Sequence, residues 1–307
     1  MRCLTSKFLL PCLLLAALCV PLVMAGQETE VEASSESPER IRKIAAVGAS
    51  ATDGFGITVM RESAFGLIPS GWSLAKSIRA SSDNSVVMSD LGSGLFFLTP
   101  HRFGESFMQR AIRAKPDLLL AVDFLFWFSY GTIGVDNSIM KTPGERMKML
   151  EVGLDLLDQY DGPIIVGNIP DMSQAIGRML SRNQVPGPRT LEKLNARIQT
   201  WVDERPRAHL FPLAGLMEQL KTGTPFSIGD QTWTTENLEK VLQRDRLHPT
   251  IEGQVALIQQ LDQVFELTEL VEIRPELETD RDLLLDMIRK QAKPIKPTAA
   301  SAGEQSP

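Results

Sequence analysis

The chain has 307 residues, 43% of them hydrophobic, and its formal net charge at pH 7 is −6. A chain of this length can bury the core of one full-sized domain. An acidic protein is a poor partner for nucleic acid or for an anionic membrane, so we predict that it binds neither.

The first 25 residues differ in character from the rest of the chain. Arg2 and Lys7 come before the apolar run FLLPCLLLAALCVPLVMA, and the small residue Ala25 closes it. This order is typical of a cleaved signal peptide, and prolines within the run disfavour a membrane anchor. We therefore predict a signal peptide at residues 1–25 and an exported protein, periplasmic or extracellular, without stable membrane insertion. All three cysteines lie in this segment, so no disulfide or thiol chemistry is expected in the mature chain.

Two further segments flank the predicted domain. Residues 26–40, GQETEVEASSESPER, are acidic and rich in serine, which predicts a disordered spacer. Residues 269–307 are predicted to form a C-terminal helix, with Leu283, Leu284 and Ile288 on its apolar side, and a disordered tail. The sequence is consistent with either of two placements of this helix, docked on the domain or projecting from it.

Between these segments, residues 41–268 alternate short apolar runs with amphipathic runs. The apolar runs are predicted strands, at 43–48, 84–91, 117–124, 163–168 and 208–213. The amphipathic runs are predicted helices, at 103–114, 145–160, 190–204 and after residue 250. Continuous apolar strands separated by helices indicate one α/β domain, a three-layer doubly wound parallel sheet of about five strands.

Ser50 follows the first predicted strand by two residues, where open parallel sheets bind their ligands. A serine nucleophile needs a base, and His248 stands three residues after Asp245 and just before a helix. At this spacing the carboxylate can hold Nδ1 of the ring and leave Nε2 free to take a proton. The alternatives are that Ser50 fills a tight turn and that the pair shapes a helix entry. The other histidines, His101 and His209, are predicted to have structural roles.

Two motifs together resemble the first and fifth motif blocks of the SGNH, or GDSL-type, hydrolases. The first is GASATDGFG around Ser50, and the second is DRLHP with Asp245 and His248. The resemblance covers roughly residues 43–268 and implies the flavodoxin-like fold of that family. It also implies that Ser50 attacks an ester carbonyl, that His248 is the base and that Asp245 orients the base. Ala49 departs from the family pattern, which has an aspartate before the serine.

The oxyanion-binding groups of that family are matched only in part. Gly92 in SDLGSG is the predicted second-block donor, and Gly94 is the competing choice. The third-block asparagine is missing, because Phe126 stands at its place in AVDFLFWFSYG. Asn168 in VGNIPD is a candidate replacement, or else a turn or cap residue. Loss of one oxyanion donor costs about 3 to 4 kcal/mol of transition-state stabilisation, so reduced activity is expected.

Aromatic residues gather after the third predicted strand. Phe126 and Trp127 are predicted to line a substrate pocket for an acyl chain or a sugar ring, and burial in the core is the alternative. Asp123 in the same segment is either a carboxylate of the site or the last polar residue of the strand. Neither a metal-ligand motif nor a glycine-rich nucleotide motif is present, so neither metal nor cofactor is predicted.

The sequence therefore predicts an exported serine esterase that hydrolyses carboxylic esters through an acyl-enzyme intermediate. Its expected substrates are small-molecule or polysaccharide esters, such as acylated glycans or lipids. The alternative is a catalytically weak or inactive binding protein on the same fold, which holds a glycan or a peptide. A third hypothesis is an envelope scaffold that acts through the C-terminal helix. The acyl group, the alcohol and the oligomeric state stay open.

Overall fold

A computed structural model describes residues 40–63, 66–134, 138–140, 142–229, 231–234, 236 and 240–292. All of these residues belong to one unit, Pro38–Pro307. The predicted signal peptide, the predicted spacer up to residue 39 and the predicted tail after residue 292 lie outside the described residues. Within the described part of the chain, no helix combines the length and the hydropathy that a membrane crossing requires.

The strands, in chain order, are β1 (Lys43–Gly48), β2 (Thr58–Ser63), β3 (Gly66–Gly71), β4 (Val87–Gly92), β5 (Leu118–Ala121), β6 (Ile164–Gly167), β7 (Ala208–Phe211), β8 (Phe226–Ile228) and β9 (Gln231–Trp233). Five of them form one parallel sheet in the order β4-β1-β5-β6-β7, which confirms the predicted fold class. The other four form two antiparallel hairpins, β2–β3 and β8–β9, which no sequence prediction covers.

The helices, in chain order, are α1 (Ser50–Asp53), α2 (Leu74–Ser81), α3 (Pro100–Ala114), α4 (Phe126–Tyr130), α5 (Pro143–Leu157), α6 (Pro188–Asp203), α7 (Leu213–Thr222), α8 (Ile251–Glu266) and α9 (Arg281–Ala292). Helices α3, α5 and α6 begin at a proline. Proline suits this position because the first N–H group of a helix has no acceptor within the helix, so its absence loses no hydrogen bond. The Thr250 hydroxyl accepts a hydrogen bond from Gly253 N and so caps α8, which is a common role for threonine directly before a helix.

The central strands are buried on both faces. In β5, Leu119 and Ala121 pack into one core with α3, α5 and α6, whereas Leu118 and Leu120 pack into a second core with α2, α8 and α9. Because helices cover both faces, β5 and β6 are apolar at every position, and such continuous apolar runs can be recognised in the sequence.

Helix α9 docks on the domain, where it contacts α2 and α8. Leu284 and Ile288 of the predicted apolar side are buried in the second core, and Leu285 joins them. Leu283 is predicted to lie on the same side of the helix, but it is 56% exposed. The buried side of α9 therefore includes Leu285 in place of Leu283.

The order of the strands in the sheet places a crevice at the carboxyl ends of two neighbouring strands, β1 and β5. Numbered along the chain, the five strands follow the flavodoxin-like order 2-1-3-4-5, and the winding direction changes between β1 and β5. The carboxyl ends of strands at such a switch point leave a space between the connections that diverge from them. Ser50 follows β1 and Asp123 follows β5, each by two residues, so both lie at this point.

Candidate active site

Ser50 is the first residue of the one-turn helix α1, directly after β1 and Ala49. Its exposed fraction is 9%, so the residue is nearly buried. The turn that holds it closes through backbone hydrogen bonds, with Asp53 N donating to Ala49 O at 2.9 Å and Phe55 N donating to Ser50 O at 2.9 Å. The serine is therefore held on a defined turn at the carboxyl end of the sheet.

The carboxylate of Asp123 lies against this same turn. Its Oδ1 accepts hydrogen bonds from Ala49 N at 2.9 Å and from the Thr52 hydroxyl at 2.6 Å. Its Oδ2 accepts from Ala51 N at 2.7 Å and from Thr52 N at 3.3 Å. The structure thus places Asp123 in the site, and it lies in a turn rather than in the predicted strand 117–124, because β5 already ends at Ala121.

Burial governs the electrostatics of Asp123. Removal from water raises the pKa of its carboxyl above the ordinary value, and the hydrogen bonds from Thr52, Ala49 and Ala51 oppose this rise. A buried carboxyl with four donors is fixed in one orientation, because any rotation would leave buried polar groups without partners.

Asp245 and His248 form a hydrogen-bonded pair. Oδ2 of Asp245 lies 2.7 Å from Nδ1 of His248, and Oδ1 accepts from Leu247 N at 2.9 Å and from His248 N at 3.1 Å. Because an ionised carboxylate can only accept, this contact assigns the proton to Nδ1 and leaves Nε2 of the neutral ring as an acceptor.

The environment of Asp245 favours its ionised form. Partial burial acts to raise the pKa of this carboxyl, but hydrogen bonds from the His248 ring and from two backbone N–H groups outweigh it, so the pKa lies below its ordinary value. His248 is buried, with 3% of the residue exposed, and the Phe55 ring covers the imidazole with the ring centroids 4.5 Å apart.

Gln243 joins the loop at 243–249, which carries His248 and is here called the histidine loop, to the turn at 49–55, which carries Ser50 and is here called the serine turn. Its side-chain amide donates to Phe55 O at 2.7 Å and to Pro249 O at 2.8 Å, and its backbone N donates to His248 O at 2.8 Å. No sequence pattern identifies Gln243, because its link to the serine turn is to Phe55, which is 188 residues away in the chain.

The cavity brings Ser50 close to the loop that carries His248, without a hydrogen bond between the two side chains among the described residues. Ser50 lines the cavity, and so do Leu247 and Pro249 on either side of the histidine. Among the described residues, no hydrogen bond joins the Ser50 hydroxyl to the ring, and in unliganded enzymes such contacts are often long. The complete Ser50, His248 and Asp245 triad therefore stays a prediction.

The candidate oxyanion residues have distinct surroundings. Gly92 packs so closely on α1 that a Cβ there would lie 2.6 Å from Asp53 N, which is a packing reason for glycine. Gly94 N donates to the Asp53 carboxylate at 3.1 Å. Oδ1 of Asn168 accepts from Ala214 N at 2.6 Å, so this side chain is engaged at the first turn of α7. None of these contacts shows an oxyanion role.

The cavity beside Ser50 has an empty volume of about 570 Å³, part of it open to solvent. Its walls are mostly aliphatic side chains from α7, α8 and the histidine loop, together with one aromatic ring: Leu213, Leu216, Leu220, Leu257, Leu247 and Phe126. The sequence interpretation misses these leucines, because they meet only when α7 packs beside α8.

The two aromatic residues predicted to bind substrate are placed differently. Phe126 lines the cavity and stacks on Tyr130 with the ring centroids 4.2 Å apart. Trp127 is buried against Phe126 and Phe97 and is not among the cavity-lining residues. It packs in the core, which is the alternative that the sequence leaves open.

The remaining histidines lie outside this cavity. His209 of β7 is buried, and its Nε2 lies 3.5 Å from the Glu269 carboxylate. His101 lies in the first turn of α3. Within the described residues, no three His, Cys, Asp or Glu side chains gather in a group that could hold a metal ion.

Comparison with known proteins gives only distant similarities. No protein-family model and no curated protein matches the chain. Among solved structures, LAE5, an alpha/beta hydrolase enzyme from the metagenome of Lake Arreo, is 14% identical, with 75% of this chain and 98% of that chain covered and a TM-score of 0.47. A GDSL-like lipase from Bacteroides thetaiotaomicron is 13% identical, with coverages of 74% and 88% and a TM-score of 0.43.

A gut microbial diltiazem-metabolizing enzyme is also similar, at 10% identity and a TM-score of 0.45. The match covers 73% of this chain but only 47% of that one, so this chain corresponds to about half of the other protein. At such low identities and TM-scores, these similarities do not indicate the function of this chain.

Proposed function

We propose that the protein is a serine hydrolase of carboxylic esters, with the SGNH-type arrangement that its two motifs resemble. Ser50 attacks the ester carbonyl, and His248 takes the serine proton on Nε2 and then gives it to the departing alcohol. Asp245 holds the ring through Nδ1. The acyl group stays on Ser50 Oγ until a water molecule, deprotonated by the same histidine, releases the acid.

One observation carries this proposal. Asp245 and His248 form a 2.7 Å pair, and the residues on either side of His248 line the same cavity as Ser50. A carboxylate paired with a histidine beside a serine is the combination that acyl transfer needs, and its position at the sheet switch point is where this fold binds ligands.

The cavity supports an ester with an apolar acyl chain as the substrate. Its lining consists mostly of apolar side chains, which suit an aliphatic chain better than a sugar ring. Export of the protein, expected from the signal sequence, is consistent with esters outside the cytoplasm.

Oxyanion binding is the weakest part of the arrangement. Asp123, which follows the end of β5, binds the turn that carries Ser50, and Phe126 at the missing asparagine position is an apolar wall of the cavity. We propose that backbone N–H groups of Ser50 and Gly92 bind the oxyanion, with Asn168 as a further candidate. A rate below that of a three-donor site is the expected consequence.

Hydrolysis of a series of p-nitrophenyl esters, from acetate to decanoate, tests this function. We expect hydrolysis by the purified protein, with kcat/KM rising by up to about fourfold per methylene until the chain fills the cavity. Ser50→Ala should reduce kcat by at least about 10³-fold, whereas Ser227→Ala, on an exposed hairpin, should leave it unchanged. Equal activity of Ser50→Ala and wild type would exclude the proposal.

A non-catalytic ligand-binding protein is the second candidate. The missing third-block asparagine and the absence of a Ser50–His248 hydrogen bond among the described residues favour it. Calorimetric binding of a fatty acid to a protein that hydrolyses none of the esters would select this candidate.

A further inference from the structure

The three backbone N–H groups that Asp123 binds are those immediately around Ser50. Ala49 precedes the serine, and Ala51 and Thr52 follow it. With the Thr52 hydroxyl, four donors from one turn meet the two oxygens of one carboxylate. Charge-assisted hydrogen bonds of this kind are the strong ones, so the turn is fixed on both sides of the nucleophile.

Gly48 leaves the room that this carboxylate occupies. A Cβ at Gly48 would lie 2.1 Å from Oδ1 of Asp123 and 2.3 Å from the Thr52 hydroxyl. No other residue fits at position 48 while the carboxylate keeps its place. Gly48 and Asp123 therefore form one unit, although Gly48 is the last residue of β1 and Asp123 follows the end of β5, 75 residues later in the chain.

Residue 49 is the position at which this chain departs from the opening motif of the SGNH pattern. That motif has an aspartate before the serine, whereas this chain has Ala49, which has no carboxylate. Ala49 is buried, and its backbone N–H donates to Asp123. A carboxylate is thus present at the serine turn, but it comes from the end of β5 and not from residue 49.

We propose that Asp123 is the positioning residue of the nucleophile, and that it supplies from β5 the carboxylate that the opening motif lacks at residue 49. The proposal rests on the proposed function, because it assigns Ser50 as nucleophile. Asp123 acts through the turn, since among the described residues its carboxylate has no hydrogen bond to the Ser50 hydroxyl. Its loss should therefore slow the attack by Ser50 and leave substrate affinity nearly unchanged.

Asp117 offers a matched control at the opposite end of β5. Its Oδ2 accepts hydrogen bonds from Arg42 N at 2.9 Å and Lys43 N at 2.8 Å, at the start of β1. Asp117 and Asp123 thus each bind backbone N–H groups next to β1, but only Asp123 does so at the serine. Asp117→Asn reports the structural cost of such a loss without a change at the site.

The experiment compares Asp123→Asn with Asp117→Asn. An amide in place of the carboxylate turns an NH₂ group toward N–H donors, which weakens the fixation of the turn. We expect Asp123→Asn to reduce kcat and the rate of Ser50 labelling by a fluorophosphonate by about 10- to 100-fold, with KM within twofold of wild type. Asp117→Asn should keep wild-type rates. Wild-type rates in a folded Asp123→Asn protein, or equal losses in both variants, would overturn the proposal.

Amide hydrogen exchange of residues 48–53 gives a readout that needs no catalysis. We expect faster exchange of this segment in Asp123→Asn and unchanged exchange in Asp117→Asn, and unchanged exchange in both would overturn the proposal. If wild type is not labelled, the proposed function fails while this measurement still decides whether Asp123 holds the turn. If Asp123→Asn does not fold, Thr52→Val removes only the hydroxyl bond and should slow labelling severalfold, and a wild-type rate would count against the proposal.

Discussion

Oδ2 of Asp245 lies 2.7 Å from Nδ1 of His248, while Oδ1 of the same carboxylate accepts hydrogen bonds from the backbone N–H groups of Leu247 and His248. One oxygen thus fixes the ring and the other fixes the chain that bears it. This division lets a single substitution separate the two tasks, since an amide keeps one oxygen and replaces the other with a donor.

Asp245→Asn should retain the loop and lose the ring orientation. Its Oδ1 can still accept from Leu247 N and His248 N, but its NH₂ group opposes Nδ1–H and favours the wrong tautomer. We expect kcat for ester hydrolysis to fall by about 10⁴-fold and the melting temperature to change by only a few degrees. A kcat within tenfold of wild type would show that this pair does not serve catalysis.

Filling the cavity should shift the preferred acyl chain length. Leu220→Trp adds a large ring to the wall that α7 contributes, so long chains lose space while an acetyl group does not. We expect kcat/KM for decanoate to fall at least tenfold and that for acetate to stay within twofold. Leu267→Trp is the matched control, because Leu267 is 78% exposed after the end of α8. An unchanged chain-length profile in Leu220→Trp would place the acyl chain elsewhere.

Stability should decline in mild acid because of His209. Burial lowers the pKa of this histidine, and the Glu269 carboxylate at 3.5 Å only partly opposes the shift. The unfolded chain therefore takes up a proton at higher pH than the folded one, and the free energy of unfolding falls as the pH drops through the ordinary histidine pKa of about 6.5.

Thermal unfolding at pH 7.5 and pH 5.5 checks this sign. The loss of melting temperature between the two values should be smaller in His209→Gln than in wild type. It should be larger in Glu269→Gln, because that variant lacks the compensating carboxylate. The same loss in all three proteins would contradict the assignment to His209.

The sheet could be predicted from sequence because helices cover both of its faces. Strands such as β5 and β6 are therefore apolar at every position and stand out between amphipathic helices. The β2–β3 hairpin escapes prediction, since Gly66, Pro69 and Gly71 within β3 are residues that usually argue against a strand.

The candidate site could be predicted only where its geometry is local. Asp245 and His248 lie three residues apart, so their spacing alone indicates a contact between their side chains. Asp123 meets the serine turn across 71 to 74 residues of chain, and the apolar run around it reads as a continuing strand. The cavity likewise depends on tertiary packing of α7 beside α8, which no local pattern encodes.

Labelling with a fluorophosphonate, followed by mass spectrometry of the labelled peptide, determines whether Ser50 is the nucleophile. We expect one label per chain, located on Ser50 and absent in Ser50→Ala and in His248→Ala under the same conditions. Folded wild-type protein that takes up no label, or a label on another serine, would contradict this assignment.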